Sequence, residues 1–301
     1  MCETSHLSNT SERRLDPDGL VSFHTHLKSS THVLTLVGAG LSASSGLPTF
    51  RGTGGLWRTY DSASLATPEA FSSNPGLVWQ FYSYRRHASL QVQPNAAHFA
   101  LAKMARRLPG SLTLSQNVDG LSERVDHPTN QLVLLHGTLF KVRCIDQQGC
   151  GYSRIDHEDP IIPALAIPEN GERHDNTVPS SAHPLPDLQP KSLPTCPNCN
   201  NLLRPGVVWF GERLPQNVHT RIAEWFNMPS KVDLVMVIGT SAQVYPAAGY
   251  INVARSKGAR VCVVNTEDND GHHSGLQAAD WFFKGDAALI IPKLLEPLVG
   301  S

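Results

Sequence analysis

Val33 to Val37 (VLTLV) runs without a break into Gly38-Ala39-Gly40-Leu41-Ser42-Ala43. A short apolar run that ends in glycine is the pattern of a parallel strand buried on both faces. The turn after it has the form G-x-G-x-x-G/A, where backbone amides and a helix start can cradle a pyrophosphate. A tight strand-to-helix turn with no ligand fits these six residues equally well. The next stretch narrows the choice. An ordinary dehydrogenase continues with a helix and a second strand ending in an acidic residue about 20 positions on. Here the chain continues SGLPTFRGTGGLWRTY, and Pro48, Gly52, Gly54 and Gly55 forbid a continuous helix. No strand is expected before Asp61. A bound dinucleotide would therefore lie beside a long loop, on which Phe50 and Arg51 could cover a reactive sugar and contact phosphate.

The rest of the chain repeats the strand-and-helix rhythm. Asn95 to Leu108 has apolar residues at helical spacing. Leu112–Leu114, Leu132–Leu135, Leu234–Ile238 and Val261–Val264 are short apolar runs that predict strands, with a helix from Ala247 to Lys257 before the last. Alternation of this kind predicts an α/β fold, a Rossmann-like parallel sheet with helices on both faces. Residues 141–204 break the rhythm, because they hold four paired cysteines and a Pro-rich insert. They predict a small metal-stapled lobe inserted in a discontinuous nucleotide-binding domain of residues 32–140 and 205–295, and a helical part around 53–94 can join that lobe. Residues 1–31 are expected to be a poorly ordered N-terminal extension and 296–301 a C-terminal tail.

The cysteines are Cys2, Cys144, Cys150, Cys196, Cys199 and Cys262. Six in 301 residues is too sparse for a disulfide scaffold. Cys196-Pro-Asn-Cys199 has zinc-knuckle spacing, and we pair it with the wider Cys144/Cys150 as one structural four-thiolate zinc site. Free buried cysteines are the alternative. The chain has 25 Lys and Arg against 26 Asp and Glu, which gives no general attraction to nucleic acid or anionic lipid. No direct nucleic-acid partner, no membrane and a monomer are the expectations. No apolar run approaches the roughly 18 residues of a membrane span. Residues 1–31 are polar, carry Glu3, Glu12, Asp16 and Asp18, and make neither a secretory signal nor a good mitochondrial presequence.

Five ordered segments carry a family resemblance: GAGLSASSGLPTFRG (Gly38 to Gly52), SQNVDGL (Ser115 to Leu121), LHG (Leu135 to Gly137), PGVVWFGE (Pro205 to Glu212) and GTSAQVYPAA (Gly239 to Ala248). Over about residues 33 to 290 the chain resembles the sirtuins, NAD-dependent protein-lysine deacylases. The resemblance implies NAD as co-substrate, one structural zinc ion and acylated-lysine proteins as substrates. Gly38, Ala39, Gly40 and Ser42 would line the pyrophosphate and ribose. Phe50, Arg51, Trp57, Gln116 and Val118 would lie toward the nicotinamide end. Gly239, Thr240, Ser241, Asn265, Thr266, Glu267 and Ala287 would take the phosphates and adenosine. Val208, Trp209, Phe210 and Gly211 would form the acyl-lysine tunnel. His136 would be the catalytic base, with Asn117 and Asp119 as catalytic partners.

These residue types suit the chemistry. Loss of nicotinamide leaves positive charge on the ribose, the substrate's amide oxygen attacks that carbon, and a base then frees a ribose hydroxyl to attack in turn. An imidazole, with a pKa of about 6.5, suits that step at neutral pH. Water must be kept out, or the nucleotide is simply hydrolysed. The family's usual histidine after the QN-x-D-x-L stretch is Ser122 here, where tuning rather than loss of activity is expected. Tyr82 and Arg85 lie three apart and share a face if WQFYSYRRH is helical. A guanidinium grips a carboxylate bidentately and a phenol adds a hydrogen bond. The pair, with Ala66 leaving room, resembles the sirtuin branch that removes succinyl, malonyl and glutaryl groups, often in mitochondria; an intracellular enzyme is expected, and with so poor a presequence cytosol and nucleus stay open beside the mitochondrion. Arg86 should point elsewhere. A solvated basic face is the bland alternative, and a sirtuin acting mainly as deacetylase or ADP-ribosyltransferase is the nearest enzymatic one. A non-catalytic NAD-binding module is the alternative from another class.

Overall fold

The computed structural model describes residues 15–49, 55–167, 185–228, 231–266 and 275–300. Its large sheet has six parallel strands: β1 (Val33–Val37), β4 (Leu112–Ser115), β5 (Leu132–Leu134), β9 (Leu234–Ile238), β10 (Arg260–Asn265) and β11 (Trp281–Lys284). They lie in the order β11-β10-β9-β1-β4-β5. The order reverses at β1, which pairs with β9 on one side and β4 on the other, and ligands bind at the carboxyl ends of strands at such a switch point.

Each central strand is apolar on both faces because both are covered. Val33 and Val37 of β1 join one core with Leu234, Met236 and Ile238 of β9. Leu34 and Leu36 join the other with Val235 and Val237. The first core takes α1 (Pro17–Ser29), α6 (Ala96–Arg107) and α9 (Ala287–Val299); the second takes α7 (Gln216–Phe226) and α8 (Gly249–Ser256). Asn95 caps α6 through its side chain on Ala97 N, so the helix begins where the spacing placed it.

Two expectations at the ends fail. The extension expected to be poorly ordered over 1–31 contains α1, opened by the Asp16 carboxylate on Gly19 N at 3.0 Å. Phe23 and Leu27 of α1 are fully buried, with Phe23 edge-on to Trp281 at 5.3 Å. Seven polar or charged positions within α1 surround these two apolar anchors, which only the sheet face reveals. The tail expected from 296 is the last turn of α9, in which Leu298 and Val299 pack on the first core.

The small lobe is a three-stranded antiparallel sheet, β7-β6-β8, of β6 (Gly137–Cys144), β7 (Ser153–Ile155) and β8 (Leu203–Val207). It runs past both ends of the 141–204 span. The 17-residue α5 (Pro75–Gln91) packs on it. Trp79 Nε1 donates to Leu203 O at 2.9 Å, and the buried Arg86 donates to Leu139 O and Glu158 O, each at 2.7 Å, and pairs with Asp156. Short α2 (Gly40–Ala43), α3 (Ser62–Leu65) and α4 (Pro68–Ser73) complete the described helices. A two-residue ladder, β2 (Leu56–Trp57) with β3 (Tyr60–Asp61), does precede and include Asp61, outside the large sheet. No helix among the described residues is long and apolar enough to cross a membrane.

Candidate active site

All six strands of the large sheet point their carboxyl ends at one cavity of about 670 Å³. Its wall contains the residue at or just past each strand end: Gly38 after β1, Gln116 after β4, His136 after β5, Gly239 after β9, Thr266 after β10 and Gly285 after β11. The small lobe and α5 close it from the other side with Ala66, Tyr82, Arg85, Val208 and Trp209.

Two glycine turns meet at the switch point. Gly40 N donates to Gly239 O at 2.8 Å. A Cβ on Gly40 would sit 2.6 Å from Gly239 Cα, and Gly239 itself has φ +58°. The backbones therefore touch, and the turn presents main chain rather than side chains to the cavity. Beside it runs a polar network. Thr240 Oγ1 donates to Gln116 Oε1 at 2.7 Å, joining the ends of β9 and β4. Ser42 Oγ donates to Asp119 Oδ2 at 2.7 Å and accepts from Asn117 Nδ2 at 3.2 Å. Asp119 Oδ1 accepts from Leu121 N at 2.9 Å, so its carboxylate is fixed at both oxygens. This polar, glycine-bounded wall fits a dinucleotide, because a turn without side chains lets phosphates come close and the amides and hydroxyls beside it suit sugars.

His136 Nδ1 lies 3.0 Å from Gln116 O. A carbonyl only accepts, so the ring hydrogen sits on Nδ1 and the lone pair on Nε2. Burial pushes the imidazole below its usual range, against the Gln116 hydrogen bond, which raises it. The ring is therefore neutral at physiological pH, as a proton acceptor must be.

The end of the cavity away from the sheet is built from side chains. Tyr82 is buried, and burial pushes its phenol up to about 12. Burial draws the Arg85 guanidinium below its usual range while Tyr82 and Asp119 draw it back, and a guanidinium stays charged under such a shift. Ala66, which is 5 % exposed, keeps this end open, and its carbonyl accepts from Phe210 N at 2.9 Å.

Of the residues the sequence singled out, Gly38, Ala39, Gly40, Ser42, Gln116, Asn117, Val118, Asp119, Gly239, Thr240, Ser241, Asn265, Thr266 and Ala287 line this cavity. So do His136, Ala66, Tyr82, Arg85, Val208, Trp209, Phe210 and Gly211. Trp57, expected at the nicotinamide end, does not. It is 4 % exposed in an aromatic cluster with Phe81 at 5.5 Å and Tyr60 at 6.2 Å, where it anchors the small lobe. Apolar neighbours on both sides claim the ring, and a short motif cannot report that. Phe50, Arg51 and Glu267 lie outside the described residues. Sequence reasoning missed Tyr84, Gln243, Tyr245 and Asp286, which also line the cavity. Gln243 and Tyr245 lie inside GTSAQVYPAA and Tyr84 inside WQFYSYRRH, where nothing set them apart from their neighbours, and Asp286 adjoins Ala287. Ser122 does not line it.

The four paired cysteines converge away from the cavity. Their sulfurs lie within 4.8 Å of one another, with Cys144–Cys199 at 3.5 Å and Cys150–Cys196 at 3.6 Å. Tetrahedral zinc, with Zn–S of about 2.3 Å, sets sulfurs about 3.8 Å apart, so the cluster fits that ion. The wide Cys144/Cys150 spacing is closed by a turn in which Asp146 O accepts from Cys150 N and Gly151 N.

The Sir2 family profile matches residues 38–246. A Candida albicans NAD-dependent protein deacylase is 42% identical over 94% of this chain and 98% of its own. A Danio rerio protein named NAD-dependent protein deacylase sirtuin-5, mitochondrial, is 37% identical over 98% of this chain and 93% of its own. The crystal structure of a Sir2 homolog–NAD complex superposes with a TM-score of 0.73 at 33% identity, covering 95% of this chain and 94% of that one.

Proposed function

The chain belongs to the Sir2 family, and from that premise we propose that it is an NAD-dependent protein-lysine deacylase that prefers acidic acyl groups: succinyl, malonyl and glutaryl. Its products are free lysine, nicotinamide and O-acyl-ADP-ribose. The observation that carries the acidic preference is the presence of Tyr82, Arg85 and Ala66 on the wall of the cavity that also holds His136. A deep-set guanidinium with a neutral phenol beside it suits a terminal carboxylate, and each such charged contact contributes about 1.5–3 kcal/mol.

Each wall has its part in this reading. The Gly38–Gly40 and Gly239–Ser241 turns bind the phosphates, and Asn265, Thr266 and Ala287 take the adenosine end. Gln116, Asn117 and Asp119, tied through Thr240 and Ser42, orient the nicotinamide and its ribose. His136 Nε2 takes the proton of a ribose hydroxyl. Val208, Phe210 and Gly211 line the lysine tunnel and exclude water. The four cysteines hold one zinc ion that staples the small lobe. Residues 137–207 with α5 form that lobe, and the large sheet is the nucleotide domain. We place the enzyme in the mitochondrion on the name of the Danio rerio relative, acting as a monomer on acylated proteins.

The test is a panel of succinyl-, malonyl-, glutaryl- and acetyl-lysine peptides with NAD, followed by mass spectrometry. Arg85→Met should cut desuccinylation by about 10- to 100-fold more than deacetylation, the worth of one charged contact. Equal losses would sink the acidic-acyl reading.

A further inference from the structure

The Tyr82 hydroxyl has an internal partner that decides what the hydroxyl can do. Trp209 Nε1 lies 2.9 Å from Tyr82 Oη, and both side chains are buried at 3 % exposure. An indole N–H only donates, so the phenol oxygen is the acceptor in this bond. Conjugation keeps a phenol O–H near its ring plane, which leaves the hydrogen two resting orientations. The one facing Trp209 is closed, because two hydrogens would meet there. Arg85, one helical turn along α5, is donor-only as well and does not accept the hydrogen. The phenol hydrogen is thus held available to an acceptor on a ligand in the cavity that Tyr82, Arg85 and Trp209 jointly line.

Trp209 is itself held on every side. Its main-chain N–H donates to Glu212 Oε2 at 2.8 Å. Glu212 takes a two-pronged contact from Arg204, with Nη1 to Oε1 at 2.6 Å and Nη2 to Oε2 at 3.0 Å. The same guanidinium stacks on the indole, its central carbon 3.2 Å from the ring centroid. Phe71 packs on the indole at 5.3 Å. A side chain clamped by a carboxylate, a stacked cation and an aromatic ring has little freedom to swing its N–H off the phenol.

We propose that Trp209 is a positioning residue for acyl selectivity, donating its indole hydrogen to Tyr82 so that the phenol hydrogen is presented to the carboxylate of an acidic acyl chain held by Arg85. The proposal rests on the acidic-acyl reading given above. It assigns Trp209 an action through Tyr82, distinct from lining the tunnel.

The experiment compares kcat and KM for succinyl- and acetyl-lysine peptides at saturating NAD in the full chain. Trp209→Phe keeps a ring and removes the N–H. The succinyl-to-acetyl ratio of kcat/KM should fall about tenfold, mainly through the succinyl KM, whatever loss the two peptides share. In a Tyr82→Phe background the same substitution should leave the ratio unmoved. A wild-type preference that survives Trp209→Phe, or a further equal fall in the Tyr82→Phe background, overturns the proposal alone. A wild-type chain with no preference for succinyl overturns it together with the reading it rests on. Should Trp209→Phe fail to fold, the wild-type chain with 15N-labelled indoles answers the same question. One of its five indole signals should move on Tyr82→Phe and shift differently with succinyl- than with acetyl-lysine peptide. If none does so, the proposal is wrong.

Discussion

The two walls of the cavity are made of different material. The sheet wall joins two glycine turns to a bonded polar network: Gly38, Gly40 and Gly239 bring two strand ends into contact, their amides donating to Ile238 O, Gly239 O and Val264 O, and Ser42, Gln116, Asn117 and Asp119 stand beside them. The opposite wall is side chain: Tyr82 and Arg85 from α5 and Trp209 from the stretch after β8. Close backbone approach and a bonded polar network give the first wall one shape. Side chains differ, so the second wall selects chemistry. In the function proposed above, one cavity joins a fixed nucleotide seat to an adjustable acyl pocket, and His136 lies between β5 and β6.

That division can be broken experimentally. His136→Ala should have the largest effect, a loss of about 10²–10⁴-fold in formation of O-acyl-ADP-ribose and free lysine with every acyl peptide, because the base acts after nicotinamide has left, whichever acyl group is bound. Retention of rate within about tenfold would place the base elsewhere. Gly40→Ala comes next. Its Cβ would meet Gly239 Cα at 2.6 Å, main chain against main chain, and the overpacking should cost about 1–3 kcal/mol. The KM for NAD should rise about tenfold while the succinyl-to-acetyl ratio stays put. A changed ratio would mean that the walls are not independent. The smallest effect on the seat is expected from Cys196→Ser or zinc chelation. No cysteine lines the cavity among the described residues. The small lobe should melt earlier in calorimetry, and NAD affinity should change only about twofold, the scatter expected of uncoupled sites. Loss of NAD binding along with the lobe would show that the staple supports both walls.

Much of this was legible before any coordinates. VLTLV, LVMVI and VCVV are buried on both faces because helices cover both, the usual state of strands in a parallel sheet. The helical spacing over Asn95 to Leu108 marked α6, which runs from Ala96 to Arg107. Other features were hidden for physical reasons. α1 has only two fully buried residues in a polar stretch, and Phe23 and Leu27 gain meaning only against Trp281 and the sheet. α9 carries Pro292 and Pro297 within it, which local propensity counts against a helix and packing on α6 overrides. Trp57 lies just past the Gly38–Gly52 segment and was assigned to the ligand, whereas the aromatic cluster claims it.

The sequence by itself determined the strand-end glycines, the cysteine pairs and the Tyr82/Arg85 spacing, because each is a local rule: a turn that admits no Cβ, a metal-ligand interval, one face of a helix. Only the tertiary structure decided what those pieces meet. It set Gly40 against Gly239, brought Cys144 to Cys199 across 55 positions, and put the indole of Trp209 on the hydroxyl of Tyr82 across 127. Contacts between residues so far apart depend on how whole elements pack, and no window of sequence contains that information.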